Sequence, residues 1–141
     1  TISSKTLLDD WTEISDAHGF KRIGGAFTVS SGVFTFPKTG VYKINLNCAF
    51  NKADPSTYVG CFINFSSNSG SNFDSFYAYQ DLNDSSSTTV YASVKNIRYV
   101  NITNTSTHKV EFRFESATAV DIRGSFADTH AFFQRIAPPQ S

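Results

Sequence analysis

Three histidines, two cysteines and scattered aspartates are the residues of this 141-residue chain whose types could do chemistry. His18, His108 and His130 lie in three separate segments, so a joint metal site would need the fold to gather them from afar. Asp121, Asp128 and His130 could converge near the C-terminus, but charges at strand ends are the plainer reading. There is no Gly-x-Ser-x-Gly elbow, His-Glu-x-x-His, Cys-x-x-Cys or phosphate-cradling glycine loop. A glycoside-cleaving site would need two carboxylates at a defined separation, and no pair stands out. The expectation is a non-enzyme with no catalytic residue, no bound cofactor and no metal.

One metal pattern is partly met. Asp81, Asn83 and Ser85 occupy the first, third and fifth places of a calcium loop. Ser86 then stands where the sharp-turn glycine belongs, and Ala92 where the bidentate glutamate belongs, which removes the helix-loop-helix reading. What survives is a minor alternative, a looser oxygen-lined calcium site at Asp81, Asn83 and Asp84. Cys48 and Cys61 are equidistant from Asp54 and Pro55, so in a simple hairpin they would face each other and a disulfide could be drawn. Asn64, Asn83, Asn101 and Asn104 each open an Asn-x-Ser/Thr sequon. In a chain this rich in Asn, Ser and Thr such matches arise by chance.

The elements around these residues read as strands. Phe34 and Phe36 alternate with Val33 and Thr35, Pro37 and Gly40 mark a corner, and Tyr42, Ile44, Leu46, Cys48 and Phe50 then share one face. Lys43, Asn45 and Asn47 take the other. Val59, Cys61, Ile63 and Phe65 repeat the pattern, and Val110, Phe112 and Phe114 interleave cleanly with Glu111, Arg113 and Glu115. Residues 73–82 carry aromatics on both faces. In residues 88–102 the phase slips near Lys95 and Asn96: Val90, Ala92 and Val94 precede the slip, Ile97 and Tyr99 follow it, and a bulge is expected there. Leu7, Leu8, Trp11 and Ile14 have helical spacing, residues 20–23 fit a short strand, and Ser30, Ser31 and Gly32 a turn before Val33. Loops are expected at 51–56 and 66–72, and the last strand lies within 121–136, stopped by Pro138 and Pro139. Many short strands with polar turns and no sustained helical period argue for an all-β sandwich.

Composition narrows the partners. The formal net charge is +0 with no basic run, which excludes nucleic-acid binding through a charged footprint. No apolar run of about twenty residues would span a bilayer, so no membrane insertion is expected. The chain has no Met, so Thr1 is read as the start of a processed or terminal piece, with residues 1–6 a linker or stalk remnant, 7–136 the domain and 137–141 a tail. The 14 Phe and 6 Tyr exceed what one core of this size needs. The surplus, Tyr91, Tyr99, Phe132, Phe133 and residues 73–79, should meet a partner.

The spacing of Gly32, Phe34, Pro37, Gly40 and Tyr42 resembles the entry into the tumour-necrosis-factor (TNF)-like jelly roll, closest to the globular head of complement C-one-q. Ser125, Phe126, Ala131, Phe132 and Phe133 resemble its last strand, with Ala131 where that family usually has Gly. The resemblance implies a two-sheet antiparallel jelly-roll sandwich that assembles as a homotrimer, inner-sheet aromatics meeting on the threefold axis. On that resemblance the segment of Leu7, Leu8, Trp11 and Ile14 is an opening strand with Trp11 on the core instead of a helix. Tyr99, Phe132, Phe133 and Tyr91 are the interface candidates, and neighbouring Phe132 and Phe133 must point to opposite faces. It also implies that Cys48 and Cys61 lie in opposite sheets, about 10 Å apart, as two buried free thiols. The low charge, polar turns and absent structural disulfide look like the heads of bacteriophage fibres and capsid decorations. The expected function is therefore a virion structural or receptor-binding module touching a receptor, a glycan or a capsid subunit. The alternatives are a secreted complement-type or TNF-like recognition head and a carbohydrate-binding module. The expected location is the virion or the extracellular space.

Overall fold

Strand parity decides which side chains meet, and the chain obeys it along most of its length. The computed structural model describes residues 5–14, 22–52, 58–82, 90–125 and 127–141, and among them every regular element is a strand. β1 (Thr6–Leu7), β2 (Thr28–Ser30), β3 (Val33–Thr35), β5 (Tyr58–Ser66), β6 (Asp74–Asp81) and β8 (Lys109–Ser116) form a six-stranded sheet. β4 (Gly40–Lys52), β7 (Val90–Ile102), β9 (Asp121–Ile122) and β10 (His130–Ala137) form a four-stranded sheet. All pairings are antiparallel. The first sheet runs β2, β3, β8, β5, β6, with β1 on β8 beyond the end of β3. The second runs β10, β4, β7, with β9 on β4 beyond the end of β10. This is the expected two-sheet antiparallel sandwich.

The β2–β3 hairpin shows why the sequence turns where it does. Ser30 pairs with Val33, and the two residues between them, Ser31 and Gly32, have φ of 47° and 76°. Positive φ at both positions matches the twist of the flanking strands. A Cβ on Gly32 would also sit 2.8 Å from the Leu8 carbonyl oxygen, so the glycine additionally lets the N-terminal segment lie against the turn.

The core fills from both sheets. Tyr42, Ile44, Leu46, Phe50, Ile63, Phe112 and Phe114 are all buried, as their parity predicts. Trp11 follows its opening strand without belonging to it. Its ring meets Phe34 and Phe112 edge-on at 5.8 and 5.3 Å, and its Nε1 donates to the Leu8 carbonyl at 2.7 Å. Cys48 and Cys61 come from opposite sheets, are buried and are unlinked. The thiols share a hydrogen bond across the core, which together with burial pushes the Cys48 pKa well above its usual value.

Several expectations need correction. The bulge in β7 does not exist: β4 and β7 pair without a register shift from Gly40 with Ile102 to Lys52 with Val90. Asn96 and Arg98 are the inward-parity residues, while Ile97 and Tyr99 point out, so an apolar-means-inside rule misreads the phase. The inward polar groups are held by the facing sheet. Asn96 Nδ2 donates to the carbonyls of Phe76 and Cys61 at 2.8 and 3.3 Å, and Arg98 donates to those of Asp74 and Ile63 at 2.7 and 2.8 Å. Burial lowers the Arg98 pKa, and Asp74 opposes that shift.

The other differences are local. Glu111 has outward parity yet is buried, because Arg113 Nε and Asn64 Nδ2 donate to its carboxylate at 2.7 and 3.0 Å. Asn64 itself is buried, so its sequon is closed to a glycan. The last strand is β10, and the same stretch also holds the short β9, separated from it by a turn in which the amides of Asp128 and Thr129 donate to the Ser125 carbonyl. Of the short strand expected at 20–23, Arg22 and Ile23 are not in a strand, and residues 20 and 21 lie outside the described residues. The loop around Asp54 and Pro55 also lies outside them.

Candidate functional site

The face of the four-stranded sheet turned away from the core is mapped by its register. Across β7, β4 and β10 the outward rows read Tyr99, Lys43, Gln134, then Ile97, Asn45, Phe132, then Lys95, Asn47, His130. Beyond them Tyr91 pairs with Asn51, which also meets Asp121 of β9. Tyr91 is 65% exposed, Tyr99 59% and Phe132 41%, and Ile97 joins them as an exposed apolar residue. Large apolar groups exposed on a sheet whose other face already closes a core make this the candidate contact surface.

Phe132 and Phe133 divide as strand geometry requires. Phe132 points outward, its ring edge-on to His130 at 5.1 Å. Phe133 points inward, where its ring packs at 4.3 Å from Phe27, 5.2 Å from Phe34, 5.8 Å from Phe112 and 5.9 Å from Phe36. Phe133 therefore leaves the set of interface candidates, while Tyr91, Tyr99 and Phe132 stay.

Between the apolar groups the surface is polar and indented. A hollow of about 170 Å³ is lined by Asn45, Asn47, Lys95, Ile97 and His130. Asn47 and His130 are directly paired, and Asn47 Oδ1 and His130 Nδ1 are both buried without a hydrogen-bond partner. The other end of the Asn47 amide donates to the Asp128 carbonyl. A second hollow of about 290 Å³ adjoins Tyr91, where the Arg123 guanidinium lies 5.2 Å from the ring centroid and 3.3 Å from the Asp128 carboxylate. Sequence reading found the aromatics but not these polar partners, which only the register brings together.

Among the described residues the chemical candidates do not gather into one site, and His18 lies outside the described residues. Asp128 is engaged by Arg123 and by the Ser125 hydroxyl, which donates to it at 2.6 Å. Among the described residues no group of three His, Cys, Asp or Glu could hold a metal ion. Asp81 is exposed at the end of β6, and Asn83 and Asp84, the rest of the calcium candidate, lie outside the described residues. His108 Nδ1 accepts from the Thr103 amide at 3.3 Å.

Neither a protein-family model nor a curated protein matches the sequence. Solved structures do match the fold. Murine APRIL at pH 8.5 superposes with a TM-score of 0.62 at 12% identity, over 82% of this chain and 80% of that one. Eiger TNF from S. frugiperda gives 0.66 at 8% identity, over 82% and 71%. The architecture is thus the TNF-like jelly roll.

Proposed function

We propose that this TNF-like jelly roll is a non-enzymatic recognition head that acts outside the cell as a homotrimer and engages a receptor-type partner. The observation that carries the reading is the exposed apolar set Tyr99, Ile97 and Phe132 on two neighbouring outward rows, with Tyr91 beyond them, on a sheet whose inner face is already filled. Burying the exposed half of one such group contributes roughly 0.6–2 kcal/mol, and a closed threefold assembly repeats the gain in every chain. Asn45, Asn47 and Gln134 between the apolar groups supply polar pairing partners, as a well-formed interface requires. The likeness to APRIL and Eiger TNF supports the recognition-head alternative over the virion setting, which gains no support from these neighbours. No helix among the described residues is long and apolar enough to cross a membrane.

Tyr99→Glu tests the choice of face. It places a charge within the proposed contact and leaves the core untouched. Gel filtration with light scattering should show the variant as a monomer with an unchanged strand signal in circular dichroism. A variant that stays assembled would overturn this face as the interface.

A further inference from the structure

The opposite side of the sandwich carries a second aromatic construction, on the outer face of the six-stranded sheet. Two neighbouring rows of the register build it: Glu115, Gly60, Tyr79 and then Arg113, Phe62, Tyr77 across β8, β5 and β6. Tyr79 and Glu115 stand on the two strands that flank Gly60. The Tyr79 hydroxyl nevertheless donates to the Glu115 carboxylate at 2.9 Å. With strands about 4.8 Å apart, that reach requires the Tyr79 ring to lie flat across β5. Gly60 makes this posture available, since a Cβ there would fall 2.5 Å from Tyr79 Cε1.

The neighbouring rings stand up from this floor. Tyr58 meets Tyr79 at 5.5 Å and 80°, and Tyr77 meets it at 5.2 Å and 63°. Phe62 backs the Tyr77 wall at 5.5 Å, and Lys5 Nζ lies 4.0 Å from the Phe62 centroid. The result is an open trough with one ring as its base, a ring on either side and a carboxylate at one end. Tyr77 is 57% exposed and Tyr79 48%.

We infer that this trough is a binding site for a neutral pyranose saccharide. The flat C–H face of a pyranose stacks on an immobilised ring, the standing tyrosines border the sugar, and Glu115 accepts from its hydroxyls. The size of the patch argues for a sugar over a protein. Two rings about half exposed offer ~150–250 Å² between them, against ~800 Å² per partner in a stable protein interface. The charge pattern argues against an anionic one: Glu115, Glu111 and Asp81, which pairs with the Tyr58 wall, stand around the rings beside Arg113 and Lys5. The site faces away from the proposed trimer contact, so it stands or falls independently of that assembly, and a trimer would present three copies.

Saturation-transfer NMR with the methyl glycosides of glucose, galactose and N-acetylglucosamine tests the assignment on the whole chain. At least one should receive saturation from the protein's aromatic protons. The affinity should fall at least roughly tenfold in Tyr77→Ala, whose ring is exposed enough that the fold should survive, and in Gly60→Ala, which evicts the Tyr79 ring. Tyr99→Ala, on the other sheet, should leave it unchanged. Saturation of none of the three, equal binding by Tyr77→Ala, or binding only of a sulfated saccharide such as a heparin fragment would overturn the proposal.

Discussion

The adjacent residues Phe132 and Phe133 should behave as opposites when each is truncated to alanine. Phe133 packs against four rings within 6 Å, Phe27, Phe34, Phe36 and Phe112. Removing it deletes a core ring and leaves a cavity, at a cost of about 3–5 kcal/mol. For a chain of this length that lowers the melting temperature on the order of 10–20 °C. Phe132 is 41% exposed, and its ring lies on the outward face beside His130. Its truncation should change the stability of the dissociated chain by about 0.5 kcal/mol or less. In the assembly only its exposed 41% remains to be buried, so the loss should weaken each subunit contact by about 0.6–1.2 kcal/mol, or roughly 3–8-fold. Thermal unfolding by circular dichroism, repeated over a hundredfold range of concentration, separates the two effects. Phe133→Ala should melt low at every concentration, whereas Phe132→Ala should differ from the parent chiefly where the parent is assembled. Equal loss from both variants at high dilution would refute the assignment of the two faces.

Two further predictions concern side chains whose chemistry the fold alters. Cys48 and Cys61 should remain unlinked and alkylate slowly in the native state, since both are buried and Cys48 resists ionisation; a crosslink in the non-reduced mass spectrum would contradict this. The Tyr79 phenol is raised from 10.0 to about 12, first by desolvation and then by its bond to Glu115. A raised folded pKa means its contribution is complete below pH 10.0 and is lost as pH rises through about 12. The ultraviolet difference titration between the parent and Tyr79→Phe should therefore centre near 12, and a midpoint near 10.0 would show that the ring is not held as described.

Much of the fold was legible because alternation reports burial directly. Phe112 and Phe114 lie inside and Arg113 outside, as their spacing required. What was not legible depended on distant partners. Asn96 and Arg98 occupy inward positions because carbonyls of the facing sheet accept from them, and nothing local to β7 announces those acceptors. The buried Glu111 needs Asn64 from another strand. Likewise the Tyr79 trough depends on a glycine and a glutamate on two different strands, which only the register places side by side. The surplus of aromatics was visible in composition, but its division between two opposite surfaces was not.

Trimeric assembly is the central claim, and the molar mass of the unmodified protein in solution tests it most directly. Light scattering coupled to gel filtration at micromolar concentration should give three times the 15.5 kDa chain mass. A single-chain mass under those conditions would contradict the assembly and, with it, the recognition-head reading built on the outward face of the four-stranded sheet.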